Sequence, residues 1–304
     1  MPLINVTKLS HFSGHKDAVY TLCNAPDKKQ FFSGGGDGYV VGWDNKKEND
    51  GRLMVRVNRP VYALYINGGE NLLYCGTASG NLHVIDFNSG GELRNIEAHV
   101  NGIFDVLALD EYMVSAGGDG NVIVWHKHDM GIFCRIRASD KSARCMALNP
   151  SKSLLAVGFS DHKIRIYSTT DFKLLDTIDA HANSVFSLTF LNDVELLSGG
   201  RDAILKRWKL SESLPLIEIP AHTLHINHIA LAPAKKLFAT VSMDKTIKLW
   251  QTADMKLIKV IDFARNEGHK SSVNKCLWVN DQTLVSGSDD RAIIMWDIEY
   301  SPEL

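Results

Sequence analysis

The chain has 304 residues, 45% of them hydrophobic, and a formal net charge of −2. That balance gives no electrostatic reason to expect nucleic acid or an anionic membrane as a partner, and no stretch approaches the roughly 18 apolar residues of a membrane span. The five cysteines, Cys23, Cys75, Cys134, Cys145 and Cys276, are odd in number with no close pair. They suggest neither a disulfide framework nor a zinc ligand set, and read as small buried hydrophobes.

Residues 1–10, MPLINVTKLS, lack the basic start and apolar run of a signal peptide, so a cytoplasmic location is expected. A strand is expected over residues 4–12, which match the segment preceding each later Gly-His or Ala-His pair. Beyond it stand His15, Ser33, Asp37 and Trp43, the last three spaced by four and then six residues. The same set returns as His99, Ser115, Asp119 and Trp125; as His181, Ser198, Asp202 and Trp208; as His222, Thr240, Asp244 and Trp250; and as His269, Ser286, Asp290 and Trp296. Two degraded copies lie between, one with Val57, Cys75, Ser79 and Ile85, the other with Ser139, Val157, Asp161 and Tyr167. The tryptophan-equivalent positions are separated by 42, 40, 42, 41, 42 and 46 residues, a period that fills the chain and makes residues 1–304 one expected domain of seven units.

Each unit reads as four short strands without a helix. In the fifth, residues 173–179 alternate apolar and polar, Ala180-His181 breaks the pattern, and apolar runs follow over 185–190, 195–200 and 204–208. Pro26-Asp27-Lys28, Asn67-Gly68-Gly69, Pro150-Ser151-Lys152 and Asn280-Asp281 mark one hairpin, Gly36-Asp37-Gly38 and Gly118-Asp119-Gly120 the next. A four-stranded sheet with two apolar faces cannot bury them alone, so the units are expected to stack and close radially.

These motifs resemble those of the WD-repeat β-propeller family over the whole chain. The resemblance implies an all-β, seven-bladed propeller with four antiparallel strands per blade. It also implies that the hydroxyl, carboxylate, imidazole and indole of each complete set satisfy one another, and that the N-terminal strand completes the last blade as a clasp. The strict Trp-Asp dipeptide survives only at Trp43-Asp44 and Trp296-Asp297, and the second and fourth blades lack the tetrad.

Several residue sets look chemical and are better read as structural. The His, Ser or Thr, and Asp sets resemble a catalytic triad, but a nucleophile and its base are needed once, whereas this set occurs five times and ends on a tryptophan. GGGDG at residues 34–38 joins two strands rather than a strand to a helix, so it is a hairpin and not a phosphate loop. His222, His225 and His228 are crowded, but no carboxylate or cysteine joins them and His222 belongs to a tetrad, so no metal is expected. His126 and His128 are expected in an exposed turn, and the sequon Asn5-Val6-Thr7 falls in the closing strand.

One pattern points to function. The apolar anchors of each blade's first strand fall at spacings of three and two, as in Val61, Leu64 and Ile66, where pure alternation gives two and two. The extra residue implies a bulge near the channel mouth, which turns its side chain out of the pleat. In blade order that residue is Tyr20, Tyr62, Phe104, Arg144, Phe186, Asn227 and Asn274. Aromatics and arginine suit an interface centre. The resemblance implies the same rim, with the residue before the tetrad Asp (Arg201, Met243 and Asp289 among others), as the partner-binding surface. Tyr62, Phe104, Arg144 and Phe186 are expected to form one arc with Arg201 beside it, suiting a protein or extended peptide segment with a hydrophobic anchor flanked by an acidic or phosphorylated residue.

The expectation is a non-catalytic scaffold, monomeric alone, without cofactor, metal, nucleic acid or membrane partner. An enzyme is the first alternative, with Asp105, His228 and Lys275 as scattered candidates beside the bulges. A ubiquitin-ligase substrate receptor is the second. In this family that role is associated with an arginine two residues beyond Trp-Asp, where this chain has Lys46 and Glu299.

Overall fold

Period-two alternation and frequent turn residues leave no segment able to form a long helix, and the computed structural model is built almost wholly of strands. It describes residues 3–47, 50–212 and 214–301. The outermost residues of the expected domain, 1–2 and 302–304, lie outside the described residues. Seven antiparallel sheets of four strands each stand as blades in a ring, and the inner strand of every blade packs against the inner strands on both sides. The one helical turn among the described residues, Phe263–Asn266, is capped by Asp262, whose side chain accepts from the Arg265 N–H. Among the described residues no helix is long and apolar enough to cross a membrane.

The sequence repeat and the blade are out of phase by one strand. The strand Leu174–Asp179 precedes His181 and was expected to open the fifth unit, yet it pairs with Lys163–Ser168 as the outer edge of the fourth blade. The histidine turn is thus the link from one blade's rim to the next blade's inner strand. Because each repeat is shared between two blades, neighbours cannot separate without breaking a repeat.

The same offset leaves the last blade one strand short, and the N-terminus fills the place. Leu3–Phe12 pairs antiparallel with Ile293–Ser301, running from Ile4 opposite Tyr300 to Phe12 opposite Ile293. Phe12 is 1% exposed and meets Phe31 and Trp43 of the first blade edge-on, at 5.4 and 5.5 Å between ring centres. The closing strand therefore also seals the joint between last and first blades. Its sequon residue Asn5 lies opposite Glu299 and donates to that carboxylate.

All seven inner strands carry the expected bulge. The pairing register skips one residue on each, at Tyr20, Tyr62, Phe104, Arg144, Phe186, Asn227 and Asn274. The skipped residue follows a fully buried anchor such as Val61, Ile103 or Val185, all 0% exposed. Packing between blades fixes the anchor, so the residue after it is the one that turns toward the channel.

Candidate functional site

Five complete tetrads stand at the blade edges. In each, the aspartate accepts the histidine Nδ1–H, at shortest distances of 2.9 to 3.1 Å. That fixes the tautomer and leaves Nε2 to accept the Ser or Thr hydroxyl proton at 2.7 to 2.9 Å. The hydroxyl oxygen accepts the indole N–H at 2.7 to 3.0 Å. Each aspartate also accepts backbone N–H groups, as Asp37 does from Lys16 and Tyr39, so it ties the inter-blade turn to the hairpin. The hydroxyls of Ser33, Ser115, Ser198, Thr240 and Ser286 belong to residues 0% exposed, so no substrate reaches them. The geometry of a triad is present without a cleft, which makes it a structural device.

In the first and third blades the glycine before this turn, Gly35 or Gly117, leaves room for the histidine, whereas the sixth and seventh carry Ser242 and Ser288 there. A Cβ on Gly117 would come within 2.0 Å of the His99 ring. The residue after each turn, Gly38, Gly80, Gly120, His162, Ala203, Lys245 or Arg291, has φ between 64° and 89°. Four blades thus hold a non-glycine residue in the left-handed region that suits the tight hairpin.

Blade four replaces its missing tetrad with a charge cluster. Asp161 accepts a two-pronged bond from Arg165, at 2.8 and 3.2 Å, and the Ser139 hydroxyl at 2.7 Å. The Arg165 guanidinium lies 4.6 Å from the centre of the Phe159 ring. The tetrad spacing does not point to Arg165, which sits at a strand position that no tetrad uses. Its spacing of four from Asp161 is the signal in the sequence. In blade two a chain of small polar groups, Thr77, Ser79, Asn81 and Asn95, takes the place instead.

The bulge residues converge at one end of the channel around a cavity of about 470 Å³. Tyr20 and Tyr62 meet edge-on at 5.3 Å, and Tyr62 and Phe104 lie parallel within 9° at 5.7 Å. Arg144 sits between Phe104 and Phe186, its guanidinium carbon 4.2 and 5.3 Å from the two ring centres, while its Nε donates to Ser160 Oγ at 3.0 Å. The collar continues past Phe186 to the His225 ring at 5.8 Å. In the sequence His225 stands out only by its nearness to His222 and His228. It joins the collar because the blade-six bulge residue, Asn227, is turned to other use.

Asn227 and Asn274 differ from the other five. The Asn227 amide donates to Val273 O at 2.9 Å and to Ser272 Oγ at 3.0 Å, and the Asn274 amide donates to Val19 O at 3.0 Å and to Asp289 Oδ1 at 2.7 Å. Each stitches its blade to the next, while their side chains still line the cavity. Arg201 and Asp289 are exposed in the turns above it, as is Met243 at 45%.

Deeper in the channel lie the enzymatic candidates. The Asp105 carboxylate accepts from the Val106 and Met146 backbone amides at 3.0 and 2.7 Å, and burial pushes its pKa up against the pull of Lys275 and those amides. His228 has Nδ1 3.7 Å from Cys276 Sγ, and burial, then Lys275, holds it well below its ordinary range. Cys276 is 0% exposed and burial raises its thiol to about 12, so the pair is no activated nucleophile. Burial raises Cys75 and Cys145 likewise.

The three histidines of the 222–228 segment do not share a site. His222 is in its tetrad, His225 in the collar and His228 in the channel. His128 is exposed beside Asp129, but His126 corrects the expectation of an exposed turn. It ends a strand opposite Tyr112 and packs at 5.4 Å from both Tyr112 and Phe133, because the outer strand there carries an aromatic that covers it.

Residues 36–232 match the family model of WDR54, and residues 6–44 and 258–297 match that of the WD domain, G-beta repeat. Actin-interacting protein 1 of Caenorhabditis elegans is 25% identical over 94% of this chain and 48% of its own length. Protein hir1 of Schizosaccharomyces pombe is 23% identical over 86% of this chain and 23% of its own length. The chain thus spans less than half of these two. Guanine nucleotide-binding protein subunit beta-like protein 1 of Mus musculus is 23% identical over 95% of both chains. The crystal structure of the WD40 β-propeller domain of Doa1 superposes with a TM-score of 0.86 over 99% of this chain and 98% of that one, at 17% identity, a likeness of fold.

Proposed function

Since the chain belongs to the WDR54 family of WD-repeat proteins, we propose that it is a non-catalytic scaffold whose channel mouth takes a protein or an extended peptide segment. Proteins of this repeat family generally bind other proteins, and one relative is named for an interaction with actin. The observation that carries the reading is the continuous collar of Tyr20, Tyr62, Phe104, Arg144 and Phe186 around an open cavity, extended past Phe186 by His225. Rigid aromatic rings offer large contact area at little entropic cost, and a guanidinium aligned between two rings is oriented for a carboxylate or phosphate. An acidic or phosphorylated residue beside a hydrophobic anchor fits both.

Homologous propellers of this kind are generally non-catalytic, and the ionisable groups in the channel support that reading. Asp105 is engaged by two backbone amides, and His228 faces a thiol that is not exposed. We place the protein in the cytoplasm, monomeric until it meets its partner. Five free cysteines, of which Cys75, Cys145 and Cys276 are buried, support a reducing compartment. The test is to isolate a partner by affinity purification from native cells and to measure its binding to Phe104→Ala and Phe186→Ala. Lys236→Ala, in the turn at the opposite end of the channel, is the control. Folded collar variants that bind like wild type, with a weakened control, would place the site elsewhere.

A further inference from the structure

The charges at the rim of the mouth are sorted by sign, while Asp105 of blade three and Lys275 of blade seven lie deeper in the same cavity. Asp289 of blade seven and Asp17 of blade one lie on one side, and Arg144 of blade four and Arg201 of blade five on the other. Asp17 accepts only from its own neighbour, the Ala18 N–H at 2.8 Å, and Asp289 from the Asn274 amide at 2.7 Å. Arg144 donates to a neutral hydroxyl, and the Arg201 guanidinium has no hydrogen-bond or ion-pair partner among the described residues. No ion pair joins any of the four. Burial, then Tyr62, Asp17 and Asp289 push the Tyr20 hydroxyl's pKa up, so both carboxylates act on that ring. Arg201 in turn acts on Arg144 and on His225, each already lowered by burial. Arg59, exposed at the turn equivalent to that of Asp17, belongs to blade two, the neighbour of the acidic pole.

Like charges gathered without a counterion destabilise a fold. Sorted, uncompensated charge around an aromatic cavity makes sense when a ligand supplies the complement. We propose that the mouth is polarised, and that it takes a peptide segment of a partner protein with opposite charges at its two ends. The acidic end meets Arg144 and Arg201, the basic end meets Asp17 and Asp289, and apolar residues lie on the aromatic collar between them. This rests on the mouth being the binding surface and adds the partner's charge order, which a purely acidic segment would not have.

The test begins by selecting binders to the wild-type protein from a random dodecapeptide library. Selected peptides should carry an acidic and a basic residue separated by apolar ones. Fluorescence anisotropy then compares wild type with the Asp17→Asn, Asp289→Asn double variant, which keeps side-chain size. The variant should lose about tenfold in affinity for a selected peptide and little for the same peptide with its basic residue changed to Gln. Peptides enriched only in acids, or equal losses for both, would overturn the charge order. If Phe104→Ala still weakens those peptides, the mouth reading survives and the polarity alone fails. If Phe104→Ala and Phe186→Ala leave the affinity unchanged, or the library yields no binder to folded protein, both fail.

Discussion

The guanidinium of Arg144 stands 4.2 Å from the ring centre of Phe104, so two side chains from neighbouring blades hold each other at the channel mouth. A contact of this kind contributes about 0.5 to 2 kcal/mol, more as water is excluded. It fixes the arginine's plane before any ligand arrives.

Phe104→Ala is therefore expected to weaken a mouth-bound partner by 2 kcal/mol or more, about thirtyfold in affinity. Isothermal titration of the purified pair checks it, with circular dichroism to establish that the variant is folded. Arg144→Lys keeps the charge and loses the planar fork, so it should weaken a carboxylate or phosphate ligand while Arg201→Lys, exposed and unpaired, changes little.

Asp290→Ala removes the acceptor of the His269 Nδ1–H and of the Lys270 and Ala292 amides. Each partner left unsatisfied costs about 1 to 3 kcal/mol. A lower melting temperature with unchanged partner binding is expected, and Asp202→Ala should behave alike. Equal melting temperatures would mean that these bonds contribute nothing to stability.

Acid should unfold the protein through the same groups. Burial alone would raise Asp290, but the bond and charge of His269, with two backbone amides, bring it from 3.8 to about 2. Hydrogen bonds outweigh burial at Asp119, Asp202 and Asp244 as well. A depressed carboxylate lends stability that is complete above its unfolded value, 3.8, and lost as pH falls toward its folded one. His99 and His222 are lowered chiefly by burial, so they resist protonation in the fold and stability declines below their ordinary 6.5. Both effects have one sign. Melting temperature should fall from about pH 6.5 downward, and the gap between wild type and Asp290→Asn should narrow toward pH 2.

The left-handed hairpin residues offer a test of opposite direction. Ala203 sits at φ 66°, where glycine is relaxed, so Ala203→Gly should raise stability by up to about 1 kcal/mol. Gly38→Ala should do the reverse, since φ is 75° and a Cβ would come 2.2 Å from the Val57 carbonyl oxygen. Thermal denaturation of the two variants beside wild type reads both.

Deletion of residues 1–12 removes the strand paired along Ile293–Ser301 and uncovers Trp43 and Phe31. The bare sheet edge should drive association, visible as light scattering and a shift to larger species than wild type in gel filtration. A monomeric, equally stable product would show that the ring holds without its clasp.

Much of this was legible in the sequence because it repeats. A period near 42 with fixed Ser, Asp and Trp spacings determined seven blades, and anchors spaced three and two located every bulge, because burial of Val61 and its counterparts leaves one place for the extra residue. Tetrad contacts followed from the family resemblance that these spacings carry. Repetition is silent where blades differ. The His225 extension of the collar and the anchoring of Asn227 and Asn274 depend on which side chain of one blade meets which group of the next. Those contacts, like the separation of Asp17 and Asp289 from Arg144 and Arg201, join residues far apart in the chain. Only closure of the ring brings them to one rim, since proximity across a channel is set by the angle between blades and leaves no period in the sequence.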